Sequence, residues 1–249
     1  MLKVDLNCDL GESFGVFQVG HDSEMMKYIS SANIACGFHS GDPYIMQKTV
    51  DLAFQNGVKI GAHPGFPDLM GFGRRNMNLT PDEVFAIVLY QIGALHSFVI
   101  AKGAKLNHVK PHGALYNMCA VNPLLADAVA KAVHHFDSTL ILYGLANSEL
   151  VSAGKKYGLT VLQEVFADRT YQPDGTLTPR TESNALIKDE KQAILQTIQM
   201  VKEKHVTSVT GEIVPIQADT ICLHGDGEHA VAFAKKIQTT FLKEDIEIG

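Results

Sequence analysis

The chain has 249 residues, enough for one large domain with a sizeable core, and its 46% hydrophobic and 19% charged content is ordinary for a globular enzyme. A net charge of −6 argues against nucleic acid as the main partner, although it leaves room for a local basic pocket. No apolar run is expected to reach the roughly 20 residues of a membrane helix, and the N-terminus shows no basic, apolar, small-residue leader, so no membrane partner and a cytoplasmic location are expected.

In Lys3-Val4-Asp5-Leu6-Asn7-Cys8-Asp9 the polar residues take the odd positions, and Leu2, Val4, Leu6, Cys8 and Leu10 take the even ones. A period of two means a strand with two different faces. A short helix is predicted near 22–30 and a second strand over 31–36. The next helix starts with Asp42 as N-cap and Pro43 in its first turn, and stops at Gly57. A strand at 58–63 precedes a long helix, 80–103, opened by the capping box of Thr80 and Glu83. Further strands are predicted at 106–111, 139–143, 160–166 and 220–224. They alternate with helices from Asn122, from near Asn147, over 185–204 and over 228–243.

Strict alternation means a parallel sheet with crossover helices. In an open doubly wound sheet the central strands would be apolar on both faces. Here Asp5, Asn7 and Asp9, then His108, Lys110 and His112, then Glu164 and Asp168, make one face polar, as the inner face of a barrel is near its mouth. A single-domain α/β fold over 1–249, an irregular seven-stranded (β/α) barrel, is therefore expected, with an open sheet as the alternative.

Each strand ends in a polar or glycine-rich cluster, whereas opposite connections such as Gln55-Asn56-Gly57 are plain turns. Ligands bind at the carboxyl ends of parallel strands. His39, His63, His112 and His224 all fall there and are candidates for the site. His96, His134, His135, His205 and His229 fall on predicted helices and read as surface or packing residues. Cys8, Cys36, Cys119 and Cys222 form no C-x-x-C pair and read as small buried residues, with a nucleophilic thiol as the alternative. Gly71-Phe72-Gly73-Arg74-Arg75 offers two guanidinium forks suited to carboxylate or phosphate. Neither a P-loop nor a G-x-G-x-x-G is present. Asp9, His39 and His63 form a weaker, metal-ligating alternative. His108 and His112 are separated by Pro111 and cannot share a helical face.

The stretches DLNCDLGES (5–13), NIACGFHSGDP (33–43), GAHPGFPDLMGFGRR (61–75), HVKPHGALYN (108–117), EVFADRTYQPDGTLTPR (164–180) and ICLHGDG (221–227) resemble the lactam-utilisation (LamB/YcsF) family over almost the whole chain. The resemblance implies a barrel related to the glycoside hydrolase/deacetylase superfamily. It also implies a role in bacterial ATP-dependent 5-oxoprolinase, cleaving 5-oxo-L-proline to L-glutamate with ATP consumed, in a complex with subunits B and C. Asp9 or Glu164 is then expected as the base, with His39, His63 or His112 as proton carriers. Asn7, Glu12, Asn33, Arg74, Lys110, Tyr116, Asp168, Arg169, His224 and Asp226 are expected to bind substrate or phosphate. A lone metal-dependent amidase or deacetylase, or a non-catalytic binding subunit, are the alternative classes.

Overall fold

The computed structural model describes residues 2–223 and 230–249. Strands β1 (Leu2–Leu10), β2 (Ser31–Ala35), β3 (Lys59–His63), β4 (Leu106–Val109), β5 (Ile141–Leu145) and β6 (Thr160–Phe166) pair in that order, all in parallel. After a small antiparallel hairpin of β7 (His205–Thr207) and β8 (Ile213–Pro215), strand β9 (Thr220–Leu223) pairs with both β6 and β1. The sheet thus closes into a seven-stranded parallel barrel, and the open-sheet alternative falls. The last strand, β10 (Ile246–Ile248), adds to the first residues of β1 outside the ring.

Closure rests on the period-two pattern. Val4, Leu6, Cys8 and Leu10 are buried in the apolar layer under the helices, while Asp5, Asn7 and Asp9 meet side chains of other strands along the barrel axis. The helices are α1 (Asp22–Met25), α2 (Pro43–Gln55), α3 (Pro81–Ala101), α4 (Gly113–Val121), α5 (Pro123–Phe136), α6 (Glu149–Lys156), α7 (Glu190–Lys202) and α8 (Ala230–Lys243). Side chains cap α2 and α3 as the sequence leads one to expect: Asp42 accepts from the amides of Tyr44 and Ile45, and Thr80 and Glu83 form a reciprocal capping box.

Several expectations shift. Helix α3 is long and apolar enough by composition to cross a membrane, with mean hydropathy 2.0, contrary to the expectation that no segment is. Here it packs on α5 and β3, burying Val84, Val88, Ile92, Leu95 and Val99. The strand expected over 106–111 ends at Val109, and the helix expected from Asn122 is preceded by another: Gly113 begins α4, and Asn122 alone separates α4 from α5. Strand β5 starts at Ile141, not 139, because the Asp137 carboxylate accepts the Thr139 amide and holds a turn. The helix expected over 185–204 begins only at Glu190, capped by Asp189. Residues 167–189 instead form an excursion tied by bridges between Arg169 and Leu186 and between Tyr171 and Leu177. His205 lies in β7, not on a helix.

Candidate active site

Polar side chains fill the barrel axis in tiers. At the bottom, Asp5 accepts from Ser31 Oγ (2.5 Å), Ser30 Oγ (2.8 Å), Thr220 Oγ1 (2.6 Å) and Tyr143 Oη (3.1 Å). Burial acts to raise its pKa, but these hydrogen bonds, Ser31 and Thr220 foremost, outweigh it and hold the carboxyl below its usual range. The His108 ring stacks on Tyr143 at 4.2 Å, and burial pushes it down to about 3, so the imidazole is neutral and its Nε2–H donates to Asn33 Oδ1 (2.8 Å).

In the middle tier Asn33 Nδ2 donates to Asn7 Oδ1 (2.7 Å) and Asp9 Oδ1 (2.8 Å). Asn7 Nδ2 donates in turn to Glu164 Oε1 (2.9 Å) and Thr220 Oγ1 (2.7 Å). Lys110, 2% exposed, reaches into this tier from the end of β4. Its Nζ lies 2.8 Å from Glu164 Oε1, 3.0 Å from Asp9 Oδ1 and 3.1 Å from Cys222 Sγ. Burial alone would lower the ammonium's pKa, but Asp9, Cys222 and Glu164 raise it well above the ordinary lysine value, so it stays charged.

The upper tier sits at the carboxyl ends of β1, β2, β3 and β4. His63 Nδ1 faces the Lys110 carbonyl at 2.7 Å, and His112 Nε2 faces the Phe72 carbonyl at 2.9 Å. Their other nitrogens, His63 Nε2 and His112 Nδ1, stand 2.9 Å apart. His39 is fully buried and stacks parallel on His112, with ring centres 3.7 Å apart. Burial, then the neighbouring His112 and His63, push His39 well below the ordinary histidine value; burial takes His112 to about 3. Glu12 Oε1 lies 3.4 Å from His39 Nε2 and 3.5 Å from His112 Nδ1. Asp9 Oδ2 lies 3.3 Å from His63 Nε2. Burial works against the Asp9 carboxylate, but His63 and Lys110 outweigh it and hold Asp9 well below the usual range.

Above this floor opens a cavity of about 750 Å³, well within the size range of small-molecule sites. Asp9, Glu12, His63, Lys110 and His112 form its base, Tyr116, Phe166 and Arg169 line its wall, and residues 176–181 of the excursion run along it. Of the expected residues, Asn7, Asn33, His39 and Glu164 lie just beneath, within contact of this floor but not lining the cavity. Asp168 is not among the lining residues, and its carbonyl accepts from the Ile187 amide. His224 and Asp226 lie outside the described residues.

The expected anion-binding groups divide. Arg74 lines the cavity with its guanidinium 5.0 Å from the Phe72 ring centre, whereas Arg75 turns away to an ion pair with Asp68. Arg169 lines the wall, but its Nε and Nη2 donate to the carbonyls of Ala185 (3.2 Å) and Thr178 (2.5 Å), fastening the excursion. Burial, with Arg180 nearby, brings Arg169 down to about 10. Arg180 itself lines the cavity, and nothing in its spacing marks it out in the sequence. Gly65 and Gly73 admit histidine rings: a Cβ at Gly65 would meet His39 Nδ1 at 2.6 Å, and one at Gly73 would meet His39 Cβ at 2.7 Å and His112 Cδ2 at 2.8 Å. All four cysteines are free and buried, and burial raises each thiol, Cys36 and Cys119 to about 12, which removes the nucleophile reading. Beside the weaker metal-ligating alternative of Asp9, His39 and His63, a second donor group stands here: Glu12, His39, His63 and His112 bring one atom each within 4.8 Å of one another.

Residues 4–249 match the sequence profile of the LamB/YcsF family. The chain is 63% identical over its full length to a protein from Bacillus cereus (strain AH187) named as the A subunit of 5-oxoprolinase, covering 98% of that relative, and equally to one of the same name from Bacillus anthracis (strain A0248). A lactam utilization protein from Thermus thermophilus superposes with a TM-score of 0.93 at 45% identity, covering 99% of each chain.

Proposed function

Since the chain belongs to the LamB/YcsF family, we propose that it is the component of an ATP-dependent 5-oxoprolinase that opens the ring of 5-oxo-L-proline, working with subunits B and C to yield L-glutamate. The observation that carries this reading is Asp9. Against burial, its carboxylate is kept ionised by His63 and by Lys110 beneath it and lies open to the cavity, whereas Glu164 is sealed below and bonded to the same ammonium. Of the two carboxylates the sequence offers as base, only Asp9 is in reach of a water molecule attacking a bound lactam.

A five-membered lactam is a resonance-stabilised, almost unstrained amide. Transfer of a phosphoryl group from ATP to its oxygen makes the ring carbon attackable by water; the C–N bond then breaks to leave a γ-glutamyl phosphate, and a second water hydrolyses this to glutamate and phosphate. Asp9 takes the proton from the first water and, so protonated, returns it to the departing ring nitrogen as the ring opens. Arg74 and Arg180 at the cavity wall suit the substrate carboxylate and the transferred phosphoryl group. Lys110 is the buried countercharge that keeps Asp9 anionic rather than a phosphate ligand.

The test is reconstitution of this chain with subunits B and C, ATP and 5-oxo-L-proline, with glutamate as the readout. Glutamate should form with the partners and hardly at all without them. Full ATP-dependent turnover by the isolated chain would refute the division of labour, and an active Asp9→Asn complex would take the base role from Asp9.

A further inference from the structure

Where His63 and His112 face one another, the protons do not add up. A backbone carbonyl only accepts, so His63 Nδ1, against the Lys110 carbonyl, carries a hydrogen, and so does His112 Nε2, against the Phe72 carbonyl. In neutral rings the remaining nitrogens, His63 Nε2 and His112 Nδ1, then present two lone pairs to each other at 2.9 Å in a buried place. That contact is repulsive unless a cation lies between them. An imidazole whose outer N–H is fixed to a backbone carbonyl is also the usual posture of a metal-ligating histidine.

The geometry points to a divalent transition-metal site of the zinc class, held by His63 Nε2, His112 Nδ1 and Glu12 Oε1, with its open position facing Asp9 and the cavity. Donors held about 2.0–2.1 Å from an ion at tetrahedral angles stand about 3.4 Å apart. Of the ligand pairs, the imidazole nitrogens stand 2.9 Å apart and His112 Nδ1 stands 3.5 Å from Glu12 Oε1, either side of that figure, and Glu12, His63 and His112 each bring a donor atom within 4.8 Å of the others. Three protein ligands and one open position is the pattern of catalytic rather than structural sites.

The oxygen donors fit the same reading: Glu12 and Asp9 bring carboxylates to the edge of the histidine pair, a donor set that suits a divalent ion of the zinc class. His39 is a supporting group rather than a ligand. Its ring lies parallel to His112, so an ion in the plane of the His112 ring is out of the plane of His39. Both its nitrogens are buried without a hydrogen bond, and Nε2 backs Glu12 Oε1 at 3.4 Å.

This inference stands on donor geometry and not on the lactam reading, and its test uses neither ATP nor 5-oxo-L-proline. The full chain, stripped with a chelator, is titrated with Co2+ and with Zn2+, followed by ligand-field absorption and elemental analysis. One ion per chain is expected, with an absorption of low-coordinate Co2+. His63→Ala and His112→Ala, checked for folding by circular dichroism, should weaken binding by on the order of 100-fold or more, beyond what loss of an outer partner costs. Glu12→Gln, nearly the same shape, serves if a histidine variant does not fold, and should also weaken binding. A folded native chain that takes up no stoichiometric ion overturns the assignment, and so does unchanged binding in the folded variants.

Discussion

The lower and upper tiers of the barrel are built from the same kinds of residue and behave oppositely. Around Asp5, four hydroxyl donors and the neutral His108 close a network in which the carboxylate is fully engaged and sealed from solvent. Among His39, His63 and His112, beside Asp9, donors and acceptors do not pair off, and the group opens onto a cavity. A satisfied buried polar network specifies a fold, whereas an unsatisfied one beside a cavity marks a place where something else must come to complete it. Lys110 joins the two, since its ammonium faces the cavity-lining Asp9 and the sealed Glu164 together.

Asp9→Asn breaks the contrast hardest. The amide keeps the shape but not the base, so glutamate formation by the reconstituted complex should fall about 10²–10⁴-fold, while copurification with subunits B and C is unchanged. Lys110→Met should expose the joint between the tiers. Removing one partner of a buried ion pair leaves Asp9 and Glu164 uncompensated, so urea unfolding should show a loss of about 3–5 kcal/mol; a variant as stable as the native chain would mean that the ammonium is not the countercharge. Asp5→Asn tests the lower tier. It should cost about 1–3 kcal/mol of stability through unpaired hydroxyls, yet the folded protein should keep its turnover. If turnover collapses in folded Asp5→Asn, the lower tier belongs to the chemistry and the contrast is wrong. Arg169→Ala loosens the excursion that walls the cavity, and a KM for 5-oxo-L-proline about tenfold higher, or about 1.4 kcal/mol, is expected with kcat less changed. Arg75→Ala, at the solvent-exposed end of the pair with buried Asp68, should leave both constants as they are.

Much of this was legible in the chain. Alternating strand and helix patterns, proline and Asx caps, and polar clusters confined to one end of each strand already specify a parallel barrel with its site at the strands' carboxyl ends, because periodicity and capping are local properties of a few neighbouring residues. Asp9, His39, His63, Lys110, His112 and Glu164 were recognisable for the same reason: each follows an apolar strand core. The extent of α4, the late start of α7 and the hairpin of β7 and β8 were not, since Gly113 and Pro111 mimic a turn and short strands are settled by what they pack against.

The individual roles belong to tertiary structure alone. The sequence offers Asp9 and Glu164 as equal carboxylates. Closure of β9 between β6 and β1 buries Glu164 against Lys110 and Asn7 and leaves Asp9 at the cavity, and the base role proposed for Asp9 rests on that difference in solvent access. Likewise the histidines at strand ends are equivalent as letters. Only their spacing in three dimensions turns His63 and His112 toward one another, sets His39 behind Glu12 and sinks His108 beneath them, because hydrogen bonding, proton sharing and coordination depend on distances of a few ångströms between residues that lie dozens of positions apart along the chain.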